Sequence, residues 1–230
     1  MQRKDVHNNL EVYCDQNDFI CPFTLKKCKK IPKTEIGICS YNFKGVDQIL
    51  CPNIFLKSNF FEIIKNCFFI GEKISILKEV KYENNFFDYI VIDEVAKDYI
   101  IVEVQSLDTC GNYMSLFGKK VKPLSINWKT TLKTTIYQLI LKSYIAQQFN
   151  RKIVLVCQDT FFEYVFGKEF QSKTCKEKPV HLLVFKYIKG EFISHTIYSF
   201  EYDEILFLYK KIISFKNDLD NIIFNSKLKL

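Results

Sequence analysis

The chain has 230 residues, of which 48% are hydrophobic and 16% aromatic, a composition that supports a full core and excludes wholesale disorder. No run approaches the roughly 20 apolar residues of a membrane span, and the polar N-terminus lacks the apolar stretch of a signal peptide. We therefore expect a cytoplasmic protein that does not interact with a membrane. The formal net charge of +7 favours an anionic partner, nucleic acid first.

Cysteines are concentrated near the N-terminus: five of the nine fall within residues 14–51. A disulfide framework is disfavoured in a reducing cytosol, so metal ligation better explains this cluster. Four thiolates suit tetrahedral Zn²⁺ or Fe. The candidate ligands are Cys21, Cys28, Cys39 and Cys51, with Cys14 as a substitute. The paired C-x2-C spacing is absent, and a set of buried free thiols is the alternative interpretation.

The cysteine cluster divides the chain in two. Residues 1–56 are loop-rich and too small to fill a core without a metal, so we predict a four-cysteine metal-binding module there. Residues 57–230 read as an ordinary α/β domain. Lysines surround Cys28 and form either a phosphate-contacting patch or a solvated face. These lysines are Lys26, Lys27, Lys29, Lys30 and Lys33.

The periodicity of the remaining sequence predicts a mixed sheet flanked by helices. In chain order we expect a helix at 59–67, a strand at 74–82, a hairpin of strands 87–92 and 99–105, a helix at 128–149, a strand at 153–157, a hairpin of strands 180–187 and 191–198, and an amphipathic segment at 203–215. On the long helix, Gln138 is a candidate to point toward an active site. Further lysines are either phosphate contacts or surface residues: Lys119, Lys120, Lys122, Lys129 and Lys133.

Three polar side chains stand at the facing ends of the two central predicted strands. Asp88 opens one strand, and Glu103 and Gln105 share a face of the next because side chains alternate along a strand. Glu103 interrupts an apolar run, where a carboxylate is costly unless it is paired or binds a cation. If the strands splay, Asp88 approaches Glu103 and the pair forms a site for Mg²⁺. Alternatively, Asp88 caps a strand and Glu103 pairs with a nearby lysine.

The Asp, then Glu-x-Gln pattern resembles the PD-(D/E)xK nuclease superfamily. Gln105 stands where that superfamily more often has lysine, and Phe87 stands where it has proline. Together with the cysteine module, the pattern is similar to that of the NotI family of restriction endonucleases, over about residues 21–159. The segments that carry the resemblance are CPF (21–23), GICS (37–40), CPN (51–53), EVKY (79–82), FDYIV (87–91) and VEVQSLDTCGN (102–112).

The resemblance implies a restriction-endonuclease-like core in which Asp88 and Glu103 hold Mg²⁺. Gln105 would orient the attacking water or the scissile phosphate. Glu79 would be an auxiliary carboxylate, a role for which Glu83 competes. Because glutamine is neither a general base nor a cation, water activation would rest mainly on the metal. The four-cysteine site of the family binds iron, so the resemblance favours a structural Fe or Zn in this module.

The activity implied is that of a type II restriction endonuclease, which hydrolyses both strands of a specific double-stranded DNA site with Mg²⁺. Two antiparallel strands need two active sites, so we expect a homodimer. A cognate DNA methyltransferase is expected in the same system. Two alternatives remain. One is a repair, nicking or junction-resolving nuclease of the same fold, and the other is a non-catalytic DNA-binding protein that works through its cysteine module.

Overall fold

A computed structural model describes residues 10–13, 18–28, 38–111, 120, 124–167 and 176–207. The strands are β1 (Leu10–Glu11), β2 (Ser40–Phe43), β3 (Val46–Ile49), β4 (Ile74–Tyr82), β5 (Asn85–Asp93), β6 (Asp98–Val104), β7 (Thr109–Cys110), β8 (Ser125–Ile126), β9 (Lys152–Gln158), β10 (Val180–Ile188) and β11 (Glu191–Phe200). The helices are α1 (Phe60–Phe68), α2 (Trp128–Gln148) and α3 (Asp159–Phe166), with a 3-10 helix at Pro52–Ser58. None of these described helices is long and apolar enough to cross a membrane.

The central sheet is mixed and has six strands in the order β11–β10–β9–β6–β5–β4. β9 runs parallel to both β6 and β10, and the remaining neighbours are antiparallel. A parallel pair needs a long crossover, and α2 provides it between β6 and β9. The protein is therefore an α/β protein with a mixed sheet, as the sequence predicts.

The two faces of the sheet bury different helices. α2 and α3 cover one face, where Leu139 and Phe161 belong to one apolar cluster. The 3-10 helix and α1 cover the other face with Phe55 and Phe60. β6 alternates between the two layers, with Ile101 toward α2 and its neighbours toward α1. By the same alternation, Glu103 is on the α2 side of the sheet.

The β2–β3 hairpin joins the cysteine-bearing segment to the sheet. Gln158, at the end of β9, is buried; its Oε1 accepts from Ile49 N at 2.8 Å and its Nε2 donates to Asp47 O at 2.5 Å. Ile49, at the end of the hairpin, belongs to the apolar cluster under α1, and Leu50, which follows it, belongs to the cluster under α2. The hairpin and the sheet thus share their cores, and a division of the chain after residue 56 stays a prediction.

Most predicted elements are confirmed within two residues of their predicted ends. The strand at 74–82 is β4, the long helix is α2, and the predicted hairpins are β5–β6 and β10–β11. The segment at 203–215 is helical over residues 202–207, and its remainder lies outside the described residues. The sequence analysis did not predict α3, because its apolar residues follow the strand β9 without a glycine or proline between them.

His181 on β10 is a fully buried titratable group. Its Nδ1 lies 2.9 Å from Ser199 Oγ, and its ring packs against Phe68. Burial first, and the charge of Lys152 second, lower the pKa of His181 from 6.5 to about 4. The fold therefore holds this imidazole neutral at pH values at which the unfolded chain protonates it.

We expect the protein to lose stability as the pH falls from about 6.5 toward 4, because the unfolded state then binds a proton that folded His181 does not. Linkage limits the loss from this residue to about 1.4 kcal/mol per pH unit. Urea unfolding at pH 7.5 and pH 5 measures the effect. The loss should be smaller in His181→Leu and unchanged in His195→Gln, which alters an exposed histidine. Equal losses in the wild type and His181→Leu would contradict the prediction.

Candidate active site

β5 and β6 stop pairing just before the residues that carry the two candidate carboxylates. Their ladder runs from Asp93–Asp98 to Tyr89–Val102, and Asp88 and Glu103 lie one residue beyond it. There, Val104 N donates to Asp88 Oδ2 at 2.9 Å, and Asp88 N donates to Glu103 Oε1 at 3.4 Å. Side chains thus take the place of ladder hydrogen bonds, and each carboxylate is tied to a backbone N–H of the opposite strand.

A cavity of about 280 Å³ opens where the strands separate. Asp88, Glu103 and Gln105 all line this cavity, which we call the carboxylate cavity. Gln105 N continues the pairing with β9 by donating to Val156 O at 2.8 Å, which keeps residue 105 in register. The structure therefore brings the three predicted residues together on one wall.

Helix α2 forms the opposite wall of the carboxylate cavity. Its first turn is fixed to the segment after β6, because Asp108 N donates to Thr131 Oγ1 at 3.0 Å and Asn127 N donates to Asp108 O at 2.8 Å. The helix presents Thr135, Gln138, Leu139 and Lys142 to the cavity. Gln138, the candidate that the sequence offered on this helix, therefore lines the carboxylate cavity.

Lys142 makes a buried ion pair with Glu103. Its Nζ lies 2.5 Å from Glu103 Oε2, and each side chain is only 9% exposed. The pairing of Glu103 with a lysine, one of the alternatives that the sequence left open, is thereby confirmed. Sequence reasoning did not name Lys142, although a signal existed: it is three residues from Leu139 and four from Ala146, both buried. A lysine on the buried face of a helix needs a partner.

Burial and the neighbouring charges in the cavity shift the pKa of Glu103. Burial first, and the negative charge of Asp88 second, raise the pKa of Glu103 from 4.5 to about 7. The charge and hydrogen bond of Lys142 act in the opposite direction. A cation beside this carboxylate therefore relieves an unfavourable negative charge, and Lys142 already does so in part.

Glu79, the predicted auxiliary carboxylate, lies on the other side of Asp88. It is exposed, lies between Lys78 and Val80, which pair with Tyr89 and Phe87, and has a left-handed backbone with φ of 50°. It lines a second cavity of about 380 Å³, which shares Asp88 and Val104 with the carboxylate cavity. Glu83, its competitor, is exposed in the turn after β4 and belongs to the described lining of neither cavity.

All four candidate cysteine ligands line this second cavity, which we call the cysteine cavity. Burial, and to a smaller extent the nearby thiols of Cys51, Cys21 and Cys28, raise the pKa of Cys39 to about 12 against the opposing effect of a backbone hydrogen bond with Tyr13. The four thiols are therefore neighbours in space. Among the described residues, however, no group of three or more His, Cys, Asp or Glu side chains is placed to hold a metal ion.

Several candidates from the sequence lie elsewhere. Lys26 and Lys27 line the cysteine cavity, and Lys129 and Lys133 are exposed on α2. Lys120 is also exposed. The other sequence candidates lie outside the described residues: Cys14, Lys29, Lys30, Lys33, Lys119 and Lys122.

Comparisons with known proteins add no relative to this geometry. No family model, curated protein or solved structure matches the chain. The likeness to the NotI family therefore depends on the motifs and their spacing.

The buried pair generates a prediction about stability. Lys142→Met should lower the free energy of unfolding by about 3–5 kcal/mol, because it leaves the Glu103 carboxylate buried without a counter-charge. Adding Glu103→Gln should recover much of this loss, since the double variant buries no charge at this position. Urea unfolding of the wild type, both single variants and the double variant gives the coupling energy.

Lys129→Met, on the exposed face of the same helix, is the matched control and should change stability by no more than about 0.5 kcal/mol. If the two single effects simply add in the double variant, Glu103 and Lys142 are not coupled and the prediction is wrong.

Proposed function

We propose that the protein is a Mg²⁺-dependent endonuclease of the type II restriction class, which hydrolyses phosphodiester bonds in both strands of a specific double-stranded DNA site. The single observation that carries the proposal is the convergence of Asp88, Glu103 and Gln105 on one cavity at the splayed ends of β5 and β6. These are the residues that the PD-(D/E)xK pattern marks. The mixed sheet with helices on both faces agrees with the expected core.

The donor set of the carboxylate cavity suits Mg²⁺. Magnesium binds oxygen ligands, usually one or two carboxylates, and keeps several of its waters. Asp88 and Glu103 supply the carboxylates, and the amide oxygen of Gln105 is a neutral third donor. Lys142 holds Glu103 Oε2, so a cation would bind Glu103 through Oε1, whose hydrogen bond from Asp88 N is long at 3.4 Å. When bound, the ion would lower the pKa of a water and stabilise charge on the phosphate.

Hydrogen bonds within the chain position the side chains of the site. Asp88 is held by Val104 N, so its carboxylate stays at the mouth of the splay. Gln105 Nε2 donates to Ser106 O, which fixes the plane of the amide beside Glu103. Lys142 is the cation of this cavity among its described lining residues, and it stands on the helix wall. A positive charge thus lines the same cavity as Gln105, which stands where the PD-(D/E)xK superfamily more often has lysine.

One active site cuts one strand, so the proposal includes a homodimer on a two-fold symmetric site. It also includes a cognate DNA methyltransferase, because a restriction activity needs protection of the host DNA. Both partners are proposals that rest on the activity.

Incubation of phage DNA with Mg²⁺ tests the activity. We expect discrete double-strand fragments from the wild type, and a loss of cleavage greater than about 100-fold in Asp88→Asn and Glu103→Gln. Loss of a residue that only positions a metal ligand costs about 10–100-fold in metal affinity or activity. Loss of the ligand itself should therefore cost more. Gel electrophoresis with mapping of the cut ends measures both results.

Asp98→Asn is the matched control. It changes a carboxylate at the far end of β6, where Asp98 pairs with Arg151 on the surface, and should leave cleavage intact. A nicked plasmid or a cut junction without double-strand fragments would favour a repair or junction-resolving nuclease. Binding without any cleavage would leave only a DNA-binding role, and an active Asp88→Asn would refute the assigned site.

We also propose that Cys21, Cys28, Cys39 and Cys51 bind a structural Fe or Zn ion. Support comes from their convergence on the cysteine cavity and from the buried state of three of the four thiols. Local hydrogen bonds shape the first part of the site: Cys21 N donates to Lys26 O at 2.9 Å, and Leu25 N donates to Cys21 O at 2.8 Å. Four thiolates form a tetrahedral site at metal–sulfur distances of about 2.3 Å.

Elemental analysis of the purified protein should find about one Fe or Zn per chain. Cys39→Ser should lower the metal content and the melting temperature together, because metal binding contributes to folding. Cys157→Ser is the matched control: Cys157 is also buried, but it lies in β9 and outside the cysteine cavity. Metal-free wild-type protein, or equal metal loss in both variants, would refute the four-cysteine site.

A further inference from the structure

Helix α2 carries a stripe of hydrogen-bond donors along the carboxylate cavity. Thr135, Gln138 and Lys142 all line it, at spacings of three and four residues. Residues so spaced lie on one side of a helix, one above the other. The stripe therefore brings residues with a hydroxyl, an amide and an ammonium group to the lining of one cavity. We call these three residues the donor stripe.

Thr135 is the most informative member of the stripe. The residue is 2% exposed, and among the described residues no group makes a hydrogen bond with its Oγ1. A threonine in a helix commonly satisfies its hydroxyl on the carbonyl four residues earlier, but Thr135 does not. A buried hydroxyl without a partner costs free energy, on the order of 1–3 kcal/mol. A ligand in the carboxylate cavity, which Thr135 lines, can supply the missing partner.

The opposite wall has the complementary character. Asp88 and Glu103 are carboxylates and Gln105 adds an amide, so this wall attracts a cation. A ligand that fills the space between the walls must therefore accept hydrogen bonds on the helix side and tolerate a cation on the strand side. A phosphate group with a bound divalent cation has this property, because its oxygens accept from donors and bind metal at once.

Lys142 connects the two walls. Its Nζ is bonded to Glu103 Oε2, and an ammonium group has three donors. One donor is used by Glu103, so the same ammonium can also donate to a phosphate oxygen. The ammonium group of Lys142 can then bind the Glu103 carboxylate and a phosphate oxygen at the same time, and the ion pair stays intact.

We propose that the donor stripe of α2 is a phosphate-binding subsite: Thr135, Gln138 and Lys142 donate to the non-bridging oxygens of the phosphodiester that the carboxylate wall acts on. The identity of the phosphodiester as DNA rests on the proposed function, whereas the subsite itself rests on the cavity and the unpartnered hydroxyl. In this arrangement the helix orients the phosphate, and the strands bind the cation.

Titration with dimethyl phosphate, a phosphodiester that is not cleaved on this time scale, tests the subsite. Binding in the presence of Mg²⁺ is followed through the linewidth of its ³¹P resonance. We expect Thr135→Val and Gln138→Ala to weaken binding by about 3- to 10-fold each, the effect of one hydrogen bond. Thr135→Ser, which keeps the hydroxyl, should bind as the wild type does. Magnesium affinity, measured by calorimetry without phosphate, should be the same in all of them.

Stability separates a ligand contact from a structural role. Thr135→Val replaces an unpartnered buried hydroxyl with a methyl group of the same shape, so its melting temperature should rise while its binding falls. Ser143→Ala is the matched control. Ser143 is also buried on α2 with an unpartnered hydroxyl among the described residues, but it does not line the carboxylate cavity. It should therefore leave phosphate binding unchanged.

The subsite is refuted if the wild type does not bind dimethyl phosphate, if Thr135→Val binds it equally well, or if Ser143→Ala weakens binding as much as Thr135→Val. The outcome is independent of DNA cleavage. A wild type that binds the phosphodiester through the donor stripe but cuts no DNA would refute the proposed function and support the subsite. If the wild type cuts DNA but Thr135→Val does not weaken binding of dimethyl phosphate, the proposed function is supported and the subsite is refuted.

Discussion

The constraint on which the site depends is the burial of a carboxylate inside the central sheet. Glu103 continues the apolar run of β6 and is almost fully buried, which is unfavourable unless a positive charge is near. Lys142 supplies that charge, and it can do so only if α2 crosses the sheet above β6 at the height of residue 103. The crossover from β6 to β9 places the helix there. The electrostatic requirement and the topology therefore fix the same helix position, and the cavity between helix and strands follows from both.

The sequence predicts one wall of the cavity much better than the other. Alternation along β6 is enough to put Glu103 and Gln105 on a common face, and two adjacent strands are enough to bring Asp88 close. These inferences need only residues that are close in the sequence and the two-residue repeat of a β-strand. Thr135 and Lys142 belong to a helix that reaches the site through tertiary packing, and the rotation of a helix over a sheet is decided by side chains on both. On that helix the sequence offered Gln138 as a candidate, and the place of Lys142 in the helical pattern of buried residues was a further local signal.

The same difference between local and tertiary information explains the other outcomes. β4 and the two hairpins are predicted well because strand patterns and turn residues lie side by side in the chain. α3 was missed because it follows β9 without a break in apolar character, so no local residue marks the change of period. The spatial meeting of the four cysteines could be expected from their number. The side-by-side position of the cysteine cavity and the carboxylate cavity could not, because it depends on how the β2–β3 hairpin packs against β9.

Asp88 stands between two cavities and belongs to the lining of both. A single carboxylate thus acts as a shared boundary, and a charge that arrives on one side changes the electrostatic potential on the other. Thermodynamic linkage makes such an effect mutual: the factor by which binding in one cavity changes affinity in the other is also the factor by which binding in the other changes affinity in the first. Asp88 therefore separates the cysteine cavity from the carboxylate cavity and, through its charge, also couples them.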